Sequence, residues 1–172
     1  RRLAGKVQGR RTTMEPAWPL DLPPDAGAEA AASVRTTWVE PAPLETDASW
    51  CEPGGDPASP LANGGAFGAK QHSAVSAVAR QLADEHDRPV VVLSSRERSV
   101  HVGPKRPPVA GWARADGSGF LRVVRTPGIG DAIASVAPEL EVEEVDVAGP
   151  PTSSSIRAAG WAEAVVLLAG AR

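Results

Sequence analysis

The sequence contains only one cysteine, few aromatic residues and no long apolar run. Because Cys51 is alone among 172 residues, the chain by itself can form neither an internal disulfide nor a cysteine-ligated iron–sulfur cluster. A lone cysteine indicates a reducing compartment, so we expect a cytoplasmic protein. No apolar run approaches the roughly 20 residues that cross a bilayer, which predicts no membrane partner.

The charge balance disfavours a polyanionic partner. The formal net charge is −3, so no overall positive field attracts nucleic acid or an anionic surface. The first eleven residues differ, with five basic side chains. We expect a solvated tail there, with anion or nucleic-acid binding as the alternative. The sequence begins at Arg1 without a methionine, and we expect it to be part of a longer protein.

Composition and local pattern divide the chain into two parts. Residues 1–27 are rich in proline and lack periodicity, which predicts a linker or a surface coil. Residues 28–172 are predicted to form one domain, in a sequence whose apolar content of 42% fits a globular protein. Alternating helical and strand patterns predict a fold of the α/β to α+β class, with a mixed sheet and helices packed on it.

The predicted elements follow from apolar spacing and turn residues. Residues 28–39 and 44–51 are predicted as two strands joined by a proline-rich turn. An apolar stripe at three- and four-residue spacing predicts a helix within 70–86, and residues 90–93 suggest a buried strand of the parallel type. The later pattern predicts a hairpin in 108–126, a helix in 129–137, an acidic edge strand in 140–147 and a helix over 152–168 capped by Thr152.

A glycine-rich turn precedes the first predicted helix. Residues 64–71, Gly-Gly-Ala-Phe-Gly-Ala-Lys-Gln, hold three glycines, and backbone N–H groups in such a turn can meet an anion or the edge of a cofactor. The turn is not a P-loop, because Ala69 precedes Lys70, and it lacks the G-x-G-x-x-G spacing. It therefore indicates another ligand or a plain tight turn. Lys70 is predicted to be a solvated residue of the first helical turn, with a phosphate contact as the alternative.

Other catalytic or metal constellations are missing from the sequence. The three histidines lie 14 and 15 residues apart without a ligand-type neighbour, so we expect no metal site built from them. No serine stands in a G-x-S-x-G elbow. Arg106 is predicted to form a structural ion pair, with a substrate or cofactor contact as the alternative.

Four segments, at residues 40–50, 64–70, 88–107 and 150–163, carry a family resemblance. In order, they are similar to the molybdenum-cofactor subunit of the xanthine dehydrogenase and aldehyde oxidase family. The most specific segment is 64–70, which resembles the family's G-G-G-F-G-G-K turn. The others resemble its E-P strand pair, its R-P-V segment with a later R-H-P, and its P-P-T-x-x-x-R-G helix entry. The similarity covers roughly residues 35–170.

The resemblance implies a molybdenum–molybdopterin cofactor and oxidative hydroxylation of an aldehyde or N-heterocycle with water as the oxygen source. It places Gln71 and Ala159 in the substrate pocket. Glutamine cannot act as an acid or base there, which makes xanthine a poor first guess. Iron–sulfur and FAD subunits or domains are the implied partners, besides a small-molecule substrate. The residues to which the resemblance assigns cofactor contact are Gly64, Gly65, Ala66, Phe67, Gly68 and Arg157.

The sequence also departs from the family pattern. The family's general base stands in a G-x-G-E motif that this sequence lacks, so the catalytic residues stay unassigned. Residues 51–63 contain no glutamine where the family has one. We therefore expect the chain to be inactive alone. The competing function is a non-catalytic interaction or scaffold domain that keeps the fold without metal.

Overall fold

Two sheets and four α-helices organise the part of the chain that the structure, a computed structural model, describes: residues 17–24, 29–62, 67–71 and 73–172. The strands are β1 (Ala32–Arg35), β2 (Ala48–Cys51), β3 (Val90–Leu93), β4 (Val109–Ala113), β5 (Gly119–Val124) and β6 (Leu140–Val145). The helices are α1 (Val75–His86), α2 (Arg96–Val102), α3 (Ile129–Ala134) and α4 (Trp161–Ala171).

The larger sheet is mixed, as the sequence predicts. Its strand order is β1-β4-β5-β6, with β4 antiparallel to both β1 and β5, and β6 parallel to β5. The predicted hairpin is confirmed by β4 and β5, whose tight turn has Gly117 at φ 90°. In that turn, Asp116 Oδ1 accepts hydrogen bonds from the Ser118 amide at 2.9 Å and the Ser118 hydroxyl at 2.7 Å. These two hydrogen bonds lower the pKa of Asp116, the side-chain one most.

The core lies between this sheet and the helices α3 and α4. Side chains of β5 alternate, so Leu121 and Val123 point into the core and are fully buried beside Ile133 and Leu167. Burial of such side chains contributes about 1.5–3 kcal/mol each. The helix pair therefore fixes where the connection before α4, residues 153–160, crosses the end of the sheet.

Helix α4 begins nine residues later than predicted, at Trp161 rather than Thr152. Ala158 and Gly160 adopt φ angles of 66° and 75°, which lie outside the right-handed helical region and prevent an earlier start. Thr152 is not the cap, because its Oγ1 pairs with Thr126 Oγ1 at 2.7 Å. The predicted helix start was wrong, and turns occupy residues 154–160 instead.

Residues 17–24 cover the opposite face of the larger sheet. Leu20 is buried against Ala110 and Val124. Arg35 on β1 donates to the Leu20 carbonyl at 2.7 Å and stacks over the ring of Trp18 at 5.1 Å. This stretch is a coil that packs on the sheet. Residues 1–16 and 25–28 lie outside the described residues, so the division between 1–27 and 28–172 stays a prediction.

The smaller sheet corrects two expectations. The strands predicted in 28–39 and 44–51 do not form one unit, because β1 pairs with β4 while β2 pairs with β3. Strand β3 is antiparallel to β2, and it is only half buried, with Val91 68% and Leu93 71% exposed. Helix α1 packs on one face only, through Ala79 and Ala83. An all-apolar strand sequence does not reveal that its second face is open.

The acidic strand β6 lies at the edge of the larger sheet, as predicted. Its Glu143 pairs with Arg122 on β5 at 2.6 Å, and beyond the strand Asp146 pairs with Arg125 at 3.0 Å. Opposite charges on neighbouring strands support the parallel pairing. In the described ranges, no helix is both long and apolar enough to span a membrane.

Candidate functional site

Two turns that lie far apart in the sequence meet at the end of the larger sheet. The amide of Arg157 donates to the carbonyl of Phe67 at 2.9 Å. Gly68 has φ 86° and packs so closely on the other turn that an added Cβ would overlap the Ser155 carbonyl oxygen and lie 2.8 Å from Ile156 Cα. Only glycine adopts this positive φ angle without strain and also leaves room for the neighbouring backbone. The structure therefore brings residues 67–70 of the glycine turn together with the segment 150–163 of the family resemblance.

The two turns line a cleft of about 240 Å³, which we call the Phe67–Arg157 cleft. Phe67 is 39% exposed and has φ 46°, an uncommon conformation for a bulky side chain and one that costs energy. Backbone strain of this kind is concentrated at ligand sites. The residues that line the cleft are Val39, Glu40, Pro41, Phe67, Arg106, Ile156 and Arg157.

The charges around the cleft are unevenly compensated. Arg106 forms an ion pair with Glu163, which is 4% exposed, so the predicted structural ion pair of Arg106 is confirmed. Glu40 pairs with Lys105 at 2.7 Å. The exposed Arg157 has no acidic side-chain partner among the residues that the structure describes. The cleft therefore carries one uncompensated positive charge, which favours an anion.

Backbone donors add to this charge. In the described part of the chain, no carbonyl accepts the N–H groups of Gly68 or Ala69. Both residues are partly exposed. N–H groups of a turn that are not engaged by the described residues are donors that an anion or a cofactor edge can use.

The other predicted site residues lie elsewhere. Gly64, Gly65 and Ala66 lie outside the described residues. Gln71 is exposed and is not part of the cleft lining, and Ala159 is fully buried in the core. The assignment of Gln71 and Ala159 to a substrate pocket stays a prediction.

The prediction for Lys70 was wrong, because this side chain is buried at 1% exposure rather than solvated. Its Nζ lies 3.5 Å from the carbonyl of Thr46. The turn at 67–71 places the lysine under the loop that precedes β2, where its long aliphatic stem is covered. A lysine directly after a glycine turn gives no sequence signal of such burial.

Sequence reasoning also missed the role of Glu40 and Glu163 around the cleft. Glu163 belongs to the P-P-T helix entry, where it is buried and paired with Arg106. Glu40 could have been suspected only from its place in the E-P segment. Within the described ranges, no group of three or more His, Cys, Asp and Glu side chains could hold a metal ion.

Comparisons with known proteins find similarity in structure alone. No family model matches the chain, and no curated protein sequence matches it. An aldehyde oxidoreductase from Desulfovibrio gigas superposes with a TM-score of 0.49 and 18% identity, over 79% of this chain and 22% of that one. A quinoline 2-oxidoreductase from Pseudomonas putida 86 gives a TM-score of 0.48 and 17% identity, over 73% and 24%.

The chain thus spans about a quarter of the length of these two structures. At such low identity and TM-score, the likeness carries no argument about function.

Proposed function

We propose that this chain is the molybdopterin-contacting segment of a molybdenum hydroxylase of the xanthine dehydrogenase and aldehyde oxidase type. The observation that carries the proposal is the contact between two motif segments. The glycine turn and the P-P-T segment lie far apart in the sequence, and each resembles the family by itself. In the structure they meet, because the Arg157 amide donates to the Phe67 carbonyl at 2.9 Å and both residues line one cleft.

The residues of the cleft fit one edge of a flat, anionic pterin cofactor. Arg157 supplies a positive charge, the amides of Gly68 and Ala69 supply donors, and the ring of Phe67 supplies an apolar surface. The missing side chain of Gly68 makes no room for the cofactor, because backbone atoms of Ser155 fill that space, so Gly68 would contribute only its amide. A cleft of about 240 Å³ is smaller than most cofactor sites, so further contacts would come from other parts of the enzyme.

The cofactor would supply redox and oxygen-transfer chemistry, hydroxylating an aldehyde or N-heterocycle with oxygen from water. This chain would bind and orient it. Glu163 is buried against Arg106 and is not placed to accept a substrate proton. The general base, the iron–sulfur clusters and the FAD group would belong to partner subunits or domains, in a cytoplasmic enzyme. Of the two residues that the resemblance assigns to the substrate pocket, the exposed Gln71 would face the substrate, whereas Ala159 is fully buried in the core and would not touch it.

Metal and pterin analysis tests the proposal. The chain is purified from a host that makes the molybdenum cofactor, together with its partners where adjacent reading frames encode iron–sulfur and flavin proteins. We expect molybdenum by mass spectrometry and a pterin fluorophore after acid release, in equal amounts. Arg157→Ala should lower both, whereas Arg80→Ala, at an exposed arginine on α1, should change neither. Absence of both signals from the parent complex would refute the proposal.

A second candidate function is a non-catalytic interaction domain. The observation that favours it is the open apolar face of the smaller sheet, where Trp50, Val91 and Leu93 are 52%, 68% and 71% exposed. Large exposed apolar patches mark interaction surfaces. A chain that carries no molybdenum or pterin, yet binds a partner through this face, would establish this function instead.

A further inference from the structure

A buried ion pair with two unmatched polar atoms lies beside the Phe67–Arg157 cleft. Arg106 donates through Nη2 to Glu163 Oε1. Among the described residues, Arg106 Nε and Glu163 Oε2 are buried without a hydrogen-bond partner. Replacing a buried ion pair with apolar side chains of the same volume is often neutral or stabilising, so this pair is weak evidence for a purely structural role.

The pair leaves part of the guanidinium available to the cleft. The side chain of Arg106 is 25% exposed, whereas that of Glu163 is 4% exposed, and Arg106 lines the cleft while Glu163 does not. Because Nη2 is engaged by Glu163 and Nε is buried, a ligand in the cleft would meet this guanidinium through Nη1. Glu163 thus fixes the plane of the guanidinium from the interior side.

The cleft offers a second guanidinium. Arg157 is exposed, lines the same cleft, and has no acidic partner in the described part of the chain. Its backbone is fixed by the bond from its amide to Phe67. Glu40, the acidic residue of the lining, is compensated by Lys105 at 2.7 Å. Among the described residues, an anion that enters the cleft therefore meets two guanidinium groups, of which Arg106 is compensated by Glu163 and Arg157 is not.

We propose that Arg106 and Arg157 form an oxyanion subsite for a phosphate or carboxylate group, with Glu163 as the residue that positions Arg106. Planar guanidinium groups match the geometry of such anions and bind them through paired N–H donors. The inference deepens the proposed function and rests on it in taking the cleft as a ligand site. It names the chemical class of group that the cleft holds.

Anion titration of the cofactor-free full chain, made in a host that lacks molybdopterin synthesis, tests the subsite. Inorganic phosphate and sodium acetate are titrated separately at constant ionic strength, followed by calorimetry and by the backbone amide resonances of Phe67 and Arg157. We expect saturable binding, and the tighter of the two anions identifies the group. Arg157→Gln should weaken it about tenfold, the usual loss of one charged hydrogen bond. Arg80→Gln, at an exposed arginine outside the cleft, should have no effect.

Arg106 requires a variant that leaves no unpaired charge inside the protein. The double variant Arg106→Gln/Glu163→Gln removes both members of the pair, so no carboxylate stays buried alone. It should also weaken binding about tenfold. Arg106→Lys keeps the positive charge but loses the planar guanidinium. It should weaken phosphate binding while the chain stays folded. If the Arg106–Glu163 pair were purely structural, this variant would not change the phosphate affinity.

The outcomes separate this inference from the proposed function. If neither anion binds saturably to the parent chain, or if Arg157→Gln binds as well as the parent, the subsite is refuted. Anion binding with no pterin recovered from the partnered protein refutes the proposed function alone. Pterin recovered from the complex, with no anion bound by the cofactor-free chain, refutes the subsite alone.

Discussion

Replacing Gly68 with alanine should break the contact between the two motif segments. The added Cβ would overlap the Ser155 carbonyl oxygen and lie 2.8 Å from Ile156 Cα, in a residue with φ 86°. The left-handed conformation costs an alanine about 1–2 kcal/mol, and the overlap adds roughly 1–3 kcal/mol through displacement of the turn. We expect the free energy of unfolding to fall by about 2–5 kcal/mol.

Gly117→Ala provides a matched control for this prediction. Gly117 has a similar φ of 90°, but an added Cβ would meet only Glu139 side-chain atoms at 3.9 Å. It should therefore cost only the conformational part, about 1–2 kcal/mol. Urea unfolding measures both changes, and hydrogen exchange of the Arg157 amide should quicken in Gly68→Ala alone. Equal destabilisation by the two variants, with unchanged exchange at Arg157, would show that the close approach to Ser155 does not hold the turns together.

Three further predictions concern charge and exposure. Glu163→Ala leaves the guanidinium of Arg106 partly buried without its partner, so it should lower the free energy of unfolding by about 3–5 kcal/mol. Glu143→Ala, at the exposed edge strand, should lower it by less than about 1 kcal/mol. Chemical denaturation of the two variants measures both changes. The pKa of Asp116 should lie below its ordinary value when titrated by NMR, and Ser118→Ala should raise it, because this variant removes the side-chain hydrogen bond, the larger cause of the shift. The sign follows: a depressed pKa contributes stability that is present above the unfolded value and is lost as the pH falls through the folded one. Leu93→Lys, on a side chain 71% exposed, should change stability by less than about 0.5 kcal/mol while reducing any association through the open sheet face.

Local signals in the sequence predicted the elements of the larger sheet well. The turn chemistry of Asp116 and Gly117 sets the hairpin, and the alternation of apolar and acidic residues sets the edge strand β6. These features depend on neighbours in the sequence, so pattern alone suffices. The pairing of β2 with β3 rather than of β1 with β2 could not be predicted in this way, because it depends on which sheet offers a partner over a long loop.

In the candidate site, too, local motifs could be predicted from the sequence and tertiary contacts could not. The glycine turn and Arg157 are visible as motifs, whereas their contact is a tertiary fact. The buried Lys70 and the pairing of Arg106 with Glu163 also depend on which loops lie above them. The sequence therefore identified Phe67 and Arg157 as candidate site residues but did not predict that they line one cleft.

The delayed start of α4 explains how Arg157 becomes part of the cleft. A helix running from Thr152 would commit the Arg157 amide to an intrahelical hydrogen bond. Because Ala158 and Gly160 take positive φ angles, the chain turns before the helix begins, and the amide donates to Phe67 instead. The same turn leaves Arg157 exposed in the cleft that Phe67 also lines. The conformation that breaks the predicted helix is thus the one that creates the positively charged cleft on which the proposed function depends.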